Sequence, residues 1–295
     1  MKNGFLSIKE LIKISIFLLL SCTILLSCQR NEAEAPDPND NVEIPEPEPE
    51  LVITLPEDMG VILHAGGELD GKILLNCQEA FYFYYEIGCR IFEYDLKLSS
   101  DGRLIGTHSW EHLADGYDGI SYEDFKSLVL DGGYTPVNED WLVEILTEYS
   151  DITLIIDAKM ETTTQDALVI KRLNELQTIH GIDISDKIIP EIFSVEMWEE
   201  IKDEVTFSYF LFSRYKEYYS VNFVVESFPI DRFIGIALPY TNLDGYYKRN
   251  IAYFQELGYR IFMFGIYSDG DVIGALEIGA DTVYIDNLGM IPSID

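Results

Sequence analysis

Nine short β-rich runs alternate with helix-length segments between residues 61 and 286, and this alternation limits the fold more than any other feature. The runs are 61–66, 90–98, 103–108, 152–159, 188–193, 207–213, 232–238, 260–267 and 282–286. Over 76–87, 139–149, 164–180, 195–205 and 246–257, apolar residues recur at three- and four-residue spacing, which predicts helices. Strands separated by helices pair in parallel, because a parallel crossover needs a dozen or more residues. About 245 residues follow position 50, the size of a (β/α)8 TIM barrel of the α/β class. Such a barrel has eight places for nine runs. Only Ser99, Ser100, Asp101 and Gly102 separate the runs at 90 and 103, a turn cluster too short for a crossover, so the surplus strand is expected there.

Side chains alternate faces along a strand. In 91–96, Phe92, Tyr94 and Leu96 share one face, and Glu93 and Asp95 share the other. A barrel turns its bulky apolar face to the surrounding helices, which directs the two carboxylates inward near the C-terminal end of the strand, where barrel active sites lie. On an edge strand the same alternation would turn both to solvent. In 153–159, Asp157 and Lys159 alternate together at the end of an apolar run, and His64 and His108 each terminate a run. Inward charges destabilise a core unless they are paired, so three acids, two histidines and a lysine at equivalent strand ends point to a functional site. The hard oxygen donors favour Mg²⁺ or Ca²⁺ over zinc.

Fifty-two acidic residues against 20 basic ones give a formal charge of -32, which repels phosphate backbones and argues against a nucleic-acid partner. An anionic substrate would need a metal or a local basic group. Residues 1–28 have a secretory leader layout: Lys2, Lys9 and Lys13 precede an apolar run from Ile14 to Leu26. Leu25, Leu26, Ser27 and Cys28 resemble the lipobox of bacterial lipoproteins, whose cysteine is lipidated. A second Leu-Leu-Ser-Cys ends at Cys22, but cleavage there would leave Ile24, Leu25 and Leu26 exposed. Cys28 is therefore the expected anchor, with a plain signal anchor as the alternative. Gln29, rather than aspartate, implies by the same resemblance release to the outer membrane of the cell envelope. Residues 29–50 hold one basic and eight acidic residues and five prolines, the composition of an extended tether. Cys77 and Cys89 are read as buried thiols, a disulfide being the alternative.

His64 with Gly66, Asn76, the run Glu93, Tyr94, Asp95, then Asp101, Gly102 and His108 resemble the glycerophosphodiester phosphodiesterases, within the phosphatidylinositol-specific phospholipase C-like barrel superfamily. The resemblance continues through Asp157 and Lys159, residues 188–193 and the closing segment 279–286, and spans about 61–287. It implies a TIM barrel in which His64 and His108 are the acid and base pair. Glu93, Asp95 and Asp157 would be the metal ligands, Lys159 a phosphate contact and Asn76 a residue near the substrate. The departures are Ala65 where the family has arginine, Leu75 and Cys77 around Asn76, Ser109 after His108, and Asp157 for the commoner glutamate. The phosphate-contacting arginine and its glutamate neighbour are thus lost together.

The implied activity is metal-assisted hydrolysis of a small phosphodiester whose own hydroxyl attacks phosphorus, with a histidine at each end of the proton transfer. The alternatives are a barrel that binds a phosphorylated glycan or lipid headgroup without cleaving it, and a phospholipase C- or D-like enzyme acting on intact lipid. Glycoside hydrolysis suits the sequence poorly, because two acids on one strand do not flank a sugar. Tyr215, Tyr218, Tyr219, Tyr246 and Tyr247 are read as helix packing before a sugar or headgroup site, Trp110 as a cap or a mouth residue, and His112 and His180 receive no role.

Overall fold

The computed structural model describes residues 60–113, 119–215, 219–243 and 245–291. The leader, the tether and Cys28 lie outside the described residues. Eight parallel strands close on themselves: β1 (Gly60–Leu63), β2 (Ile91–Leu98), β4 (Thr153–Ala158), β5 (Ile188–Ile192), β6 (Phe210–Ser213), β7 (Phe233–Pro239), β8 (Arg260–Phe264) and β9 (Thr282–Ile285). Pairing of β1 with both β9 and β2 completes the ring, and the protein is a (β/α)8 barrel. The ninth strand, β3 (Leu104–Gly106), folds back antiparallel on β2, pairing Leu96 with Gly106 and Leu98 with Leu104. The surplus run lies where the four-residue turn placed it.

Eight helices are seen among the described residues: α1 (Gln78–Glu86), α2 (Tyr122–Lys126), α3 (Glu139–Glu148), α4 (Thr163–His180), α5 (Val195–Ile201), α6 (Val221–Ser227), α7 (Gly245–Glu256) and α8 (Asp269–Glu277). Six begin on a side-chain cap: Ser121, Asn138, Thr162, Ser194, Ser220 and Ser268 each accept from the backbone N–H three residues on. The five expected helices form, with ends displaced by up to four residues. α1 starts at Gln78 because Asn76 takes φ 47° and Cys77 is extended. α2, α6 and α8 were not expected, being short, Val-rich or interrupted by Gly270 and Gly274.

Two apolar layers hold the barrel. Inside, one residue from each parallel strand forms a plug: Ile62, Ile91, Ile155, Ile189, Leu211, Ala237, Phe262 and Tyr284. Outside, strand residues such as Phe92, Leu154, Phe210 and Phe233 pack on Phe81, Leu173, Trp198 and other helix residues. Full burial of a side chain of this size is worth about 1.5–3 kcal/mol, so the plug fixes the register that aims the residues above it. Cys77 and Cys89 are free, buried thiols, and burial pushes them up to about 11 and about 12. No described helix is long and apolar enough to cross a membrane.

Candidate active site

Two residues beyond each member of the plug, the same strand face meets a cavity of about 460 Å³. The eight side chains so placed are His64, Glu93, Asp157, Glu191, Ser213, Pro239, Phe264 and Asp286. The polar cluster is therefore a consequence of strand alternation above an apolar floor, at the C-terminal end of the barrel.

His64 follows β1 and leads a tight 3-10 turn, His64–Gly66. Ala65 adopts φ 48°, a left-handed conformation that aims its N–H at Glu93 Oε2, 2.7 Å away. Gly67, at φ 104°, leaves room for the Tyr84 ring, which an added Cβ would meet at 2.3 Å. His64 Nδ1 lies 2.9 Å from Asp286 Oδ1. Burial alone would lower the imidazole pKa, but the Asp286 hydrogen bond and the charges of Glu93 and Asp95 outweigh it and raise the value to about 9.

Asp95 pairs with Asp157 across β2 and β4, and with Glu93 they bring three carboxylate ligand atoms within 4.8 Å of one another. Burial pushes the Glu93 carboxyl well up, and the charge of Asp95 adds to this. Burial acts on Asp95 in the same direction, yet Lys159, His108 and His64 together hold it below the usual range. Lys159 Nζ hydrogen-bonds Asp157 and lies 3.4 Å from Asp95 Oδ1. Glu93 Oε1 and Asp95 Oδ1 are buried and accept no hydrogen bond. Carboxylate oxygens left without a donor in a low-dielectric site are costly, and this donor set fits a hard divalent cation.

The β2–β3 hairpin carries His108 to the same cavity: the Thr107 N–H donates to the Asp95 carbonyl at 3.0 Å, one residue before the histidine. His64, His108, Glu93, Asp95, Asp157 and Lys159 thus converge as the sequence suggested. Asn76 does not line the cavity. It is fully buried behind Asp95, donating from Nδ2 to Asp95 Oδ2 and accepting from the Asp95 N–H, both at 2.9 Å. It is a positioning residue for a carboxylate, in place of the expected position beside the substrate.

The lining residues that were not anticipated include Asp286, Glu191, Ser213 and Arg214. Tyr284 donates to Glu191 Oε1 at 2.6 Å. Burial and then the Asp157 charge raise Glu191 to about 7, against hydrogen bonds from Tyr284 and Ser213. For Asp286 and Glu191 the two-residue spacing beyond an apolar strand residue was available as a signal. Tyr215 also lines the cavity, whereas Tyr219 and Tyr247 pack within the helical layer. Trp110 packs against the small cluster of Ile105, Leu113 and Tyr122.

No family model matches the chain, and no curated protein matches it. Solved structures do. A glycerophosphodiester phosphodiesterase from Parabacteroides distasonis aligns with TM-score 0.63 at 17% identity, covering 78% of this chain and 93% of that one. One from Thermotoga maritima gives 0.59 at 22%, covering 78% and 95%. An Oleispira antarctica phosphodiesterase, solved with the product sn-glycerol-3-phosphate, gives 0.61 at 16%, covering 78% and 94%. The chain shares the barrel fold of solved glycerophosphodiester phosphodiesterases.

Proposed function

We propose that this protein is a metal-dependent phosphodiesterase hydrolysing glycerophosphodiester-like substrates, with His64 and His108 as its acid and base. The observation that supports this most is the meeting of His64, His108, Glu93, Asp157 and Lys159 at one cavity on adjoining strands of the barrel, with the buried Asp95 carboxylate within 4.8 Å of the other two acids. Glu93, Asp95 and Asp157 would hold Mg²⁺ or Ca²⁺, which when bound supplies Lewis-acid polarisation of the phosphoryl group and its attacking hydroxyl.

The protein's own groups handle the protons. Asp286 occupies Nδ1 of His64, which leaves Nε2 to exchange a proton with the substrate. One histidine removes the proton of a neighbouring substrate hydroxyl as that oxygen attacks phosphorus. The other protonates the leaving alkoxide, and water then opens the cyclic phosphate with the two roles reversed. Lys159 contacts the phosphoryl oxygens.

The test is hydrolysis of a panel of glycerophosphodiesters and intact phospholipids by the purified protein with Ca²⁺ or Mg²⁺, with chelator, and with Glu93→Ala. Turnover that requires both the ion and Glu93 supports the reading. Saturable binding of diesters without product identifies a binding protein instead.

Cys28 is the lipid attachment site that ties the protein to the bacterial envelope, at the outer membrane, a reading supported by the sequence motif alone. Labelled fatty acid should enter the wild-type chain, and incorporation into Cys28→Ala would overturn the assignment.

A further inference from the structure

In this cavity the charge lies deep and the apolar surface lies at the mouth. The charged lining residues, Glu191 and Arg214 among them, are buried or half-buried, whereas the exposed ones are Ile73, Tyr215, Thr241, Asn242 and Tyr267. None of these five carries a charge. Three are large and apolar, with exposures of 47% for Ile73, 63% for Tyr215 and 72% for Tyr267. A charged floor under an apolar mouth suits an amphiphile whose polar end reacts below and whose tail leaves through the opening.

The loop after β1 holds Ile73 and Leu74 at that mouth. Leu69 and Lys72 exchange backbone hydrogen bonds of 3.0 and 2.9 Å at its tip, and the Tyr134 hydroxyl donates to Asp70 at 2.6 Å. Where the loop returns, the Asn76 N–H donates to the Ala65 carbonyl at 3.2 Å. Between these ties Leu74 sits at φ 58°, a left-handed conformation that is costly for a bulky residue and persists only where its surroundings enforce it. Tyr267 follows β8, two places round the ring from β1, and its N–H donates to Asp271 Oδ2 at 3.0 Å. The Tyr215 ring centre lies 5.4 Å from Lys159 Nζ and 6.3 Å from the Phe264 ring. A diester held at Lys159 therefore lies beside the apolar mouth.

The cavity, at about 460 Å³, holds a headgroup-sized ligand, so a chain attached to that ligand must cross the mouth. The proton scheme above limits the chains to one. It needs a free hydroxyl next to the phosphate, which a glycerol carrying one acyl chain retains and a glycerol carrying two has lost. We propose that the protein cleaves single-chain diesters of the lysophospholipid class, with Ile73, Leu74, Tyr215 and Tyr267 packing against the acyl or alkyl chain. The free hydroxyl oxygen bonds to phosphorus as the bond from phosphorus to the headgroup oxygen breaks. The hydroxyl proton goes to one histidine, and the headgroup leaves as an alcohol carrying the proton of the other. Water then opens the cyclic phosphate to give an acylglycerol phosphate. This inference rests on the phosphodiesterase reading, which supplies that chemistry.

The experiment follows turnover by the ion-loaded protein of glycerophosphocholine and its acetyl, butanoyl and hexanoyl sn-1 esters, all short enough to stay monomeric. Dihexanoyl phosphatidylcholine and glycerophosphoinositol are the controls. In the wild type kcat/KM should rise about two- to fourfold for each methylene that reaches the mouth, and the two-chain lipid should give no product. Ile73→Ser combined with Tyr267→Ser should bring the ratio of hexanoyl to deacylated turnover down about fivefold or more, provided the variant melts near the wild-type temperature. If the double variant fails to fold, the two single variants decide. A flat wild-type series, or a rise that the variants leave intact, would overturn the role of the mouth and leave the phosphodiesterase reading standing. A preference for glycerophosphoinositol over the hexanoyl diester, or product from the two-chain lipid, would overturn the inference in the same way. No turnover of any diester would overturn the phosphodiesterase reading, and the inference with it.

Discussion

Asn76 and Asp95 grip each other through two hydrogen bonds of 2.9 Å, one to the carboxylate and one from the backbone N–H of the same aspartate. The pair crosses from the strained loop after β1 to the centre of β2. It fixes which Asp95 oxygen faces the other two acids.

Removing that grip should weaken cation binding without dismantling the barrel. Asn76 has φ 47°, so Asn76→Gly keeps the backbone conformation and deletes only the amide, whereas Asn76→Ala adds strain. Outer partners of metal ligands are worth about 10- to 100-fold in affinity. Calorimetric titration with Ca²⁺ and Mg²⁺ should show a loss of that order in Asn76→Gly. An unchanged affinity would mean that Asp95 holds its orientation without Asn76.

The His64–Asp286 contact sets a pH dependence. His64 is raised to about 9, so its contribution to stability is complete below the unfolded value of about 6.5 and is lost as pH rises through 9. In chelated protein, the imidazole resonances of His64 should titrate well above those of an exposed histidine. Asp286→Asn should shift that titration downward, and so should an added divalent cation, which offsets the charges of Glu93 and Asp95. A midpoint that ignores both changes would show that neither group acts on His64.

The platform under His108 depends on Glu139. This buried carboxylate accepts from Arg172 Nη2 at 2.7 Å and from the Leu104 N–H at 3.0 Å, and also pairs with Arg103, joining β3 to α3 and α4. Against the effect of burial, the bonds from Arg172, Leu104 and Arg103 hold it below the usual carboxylate range. Its stabilisation is therefore present at neutral pH and lost as pH falls through that lowered value. Glu139→Gln should cost about 1–3 kcal/mol at pH 7, since it removes the carboxylate that Arg103 and Arg172 share and leaves each with one outer acid, Asp140 and Glu175. Denaturant unfolding at pH 7 and pH 3.5 should show the gap between variant and wild type shrinking in acid. A constant gap would assign the loss to packing.

The strand-end pattern made most of the site readable. Glu93 with Asp95, and Asp157 with Lys159, stand out because two polar residues alternate on one face of an otherwise apolar run. Asp286 and Glu191 obey the same two-residue spacing, but each is a single acid after its apolar run, a weaker sign than an alternating pair. The partner of Asn76 was hidden because a positive φ and a contact 19 residues away leave no local trace. Arg214 lies beyond the alternation altogether; its place comes from the turn after β6 and from a ring on α7. Among the helices, α6 was missed because its seven residues are too few to display helical spacing and three of them, Val221, Val224 and Val225, are β-branched, although Ser220 at its cap was a usable sign.

Glu191 supplies the remaining prediction. Burial first and the Asp157 charge second raise it to about 7, so the folded protein retains a proton there that the unfolded chain has released above about 4.5. Stability should then decline as pH rises from about 4.5 to 7, because the native state is the one that binds the proton. Glu191→Gln removes the ionisation and can still accept the Tyr284 hydrogen bond. In chelated protein the variant should gain stability relative to wild type as pH increases across that window, and level off above it. In the same variant, affinity for Ca²⁺ should fall more at pH 8 than at pH 5, since a negative charge near Asp157 is lost only where wild-type Glu191 is ionised. Parallel stability curves for the two proteins from pH 5 to 8 would show that Glu191 is already ionised in the folded state across that range.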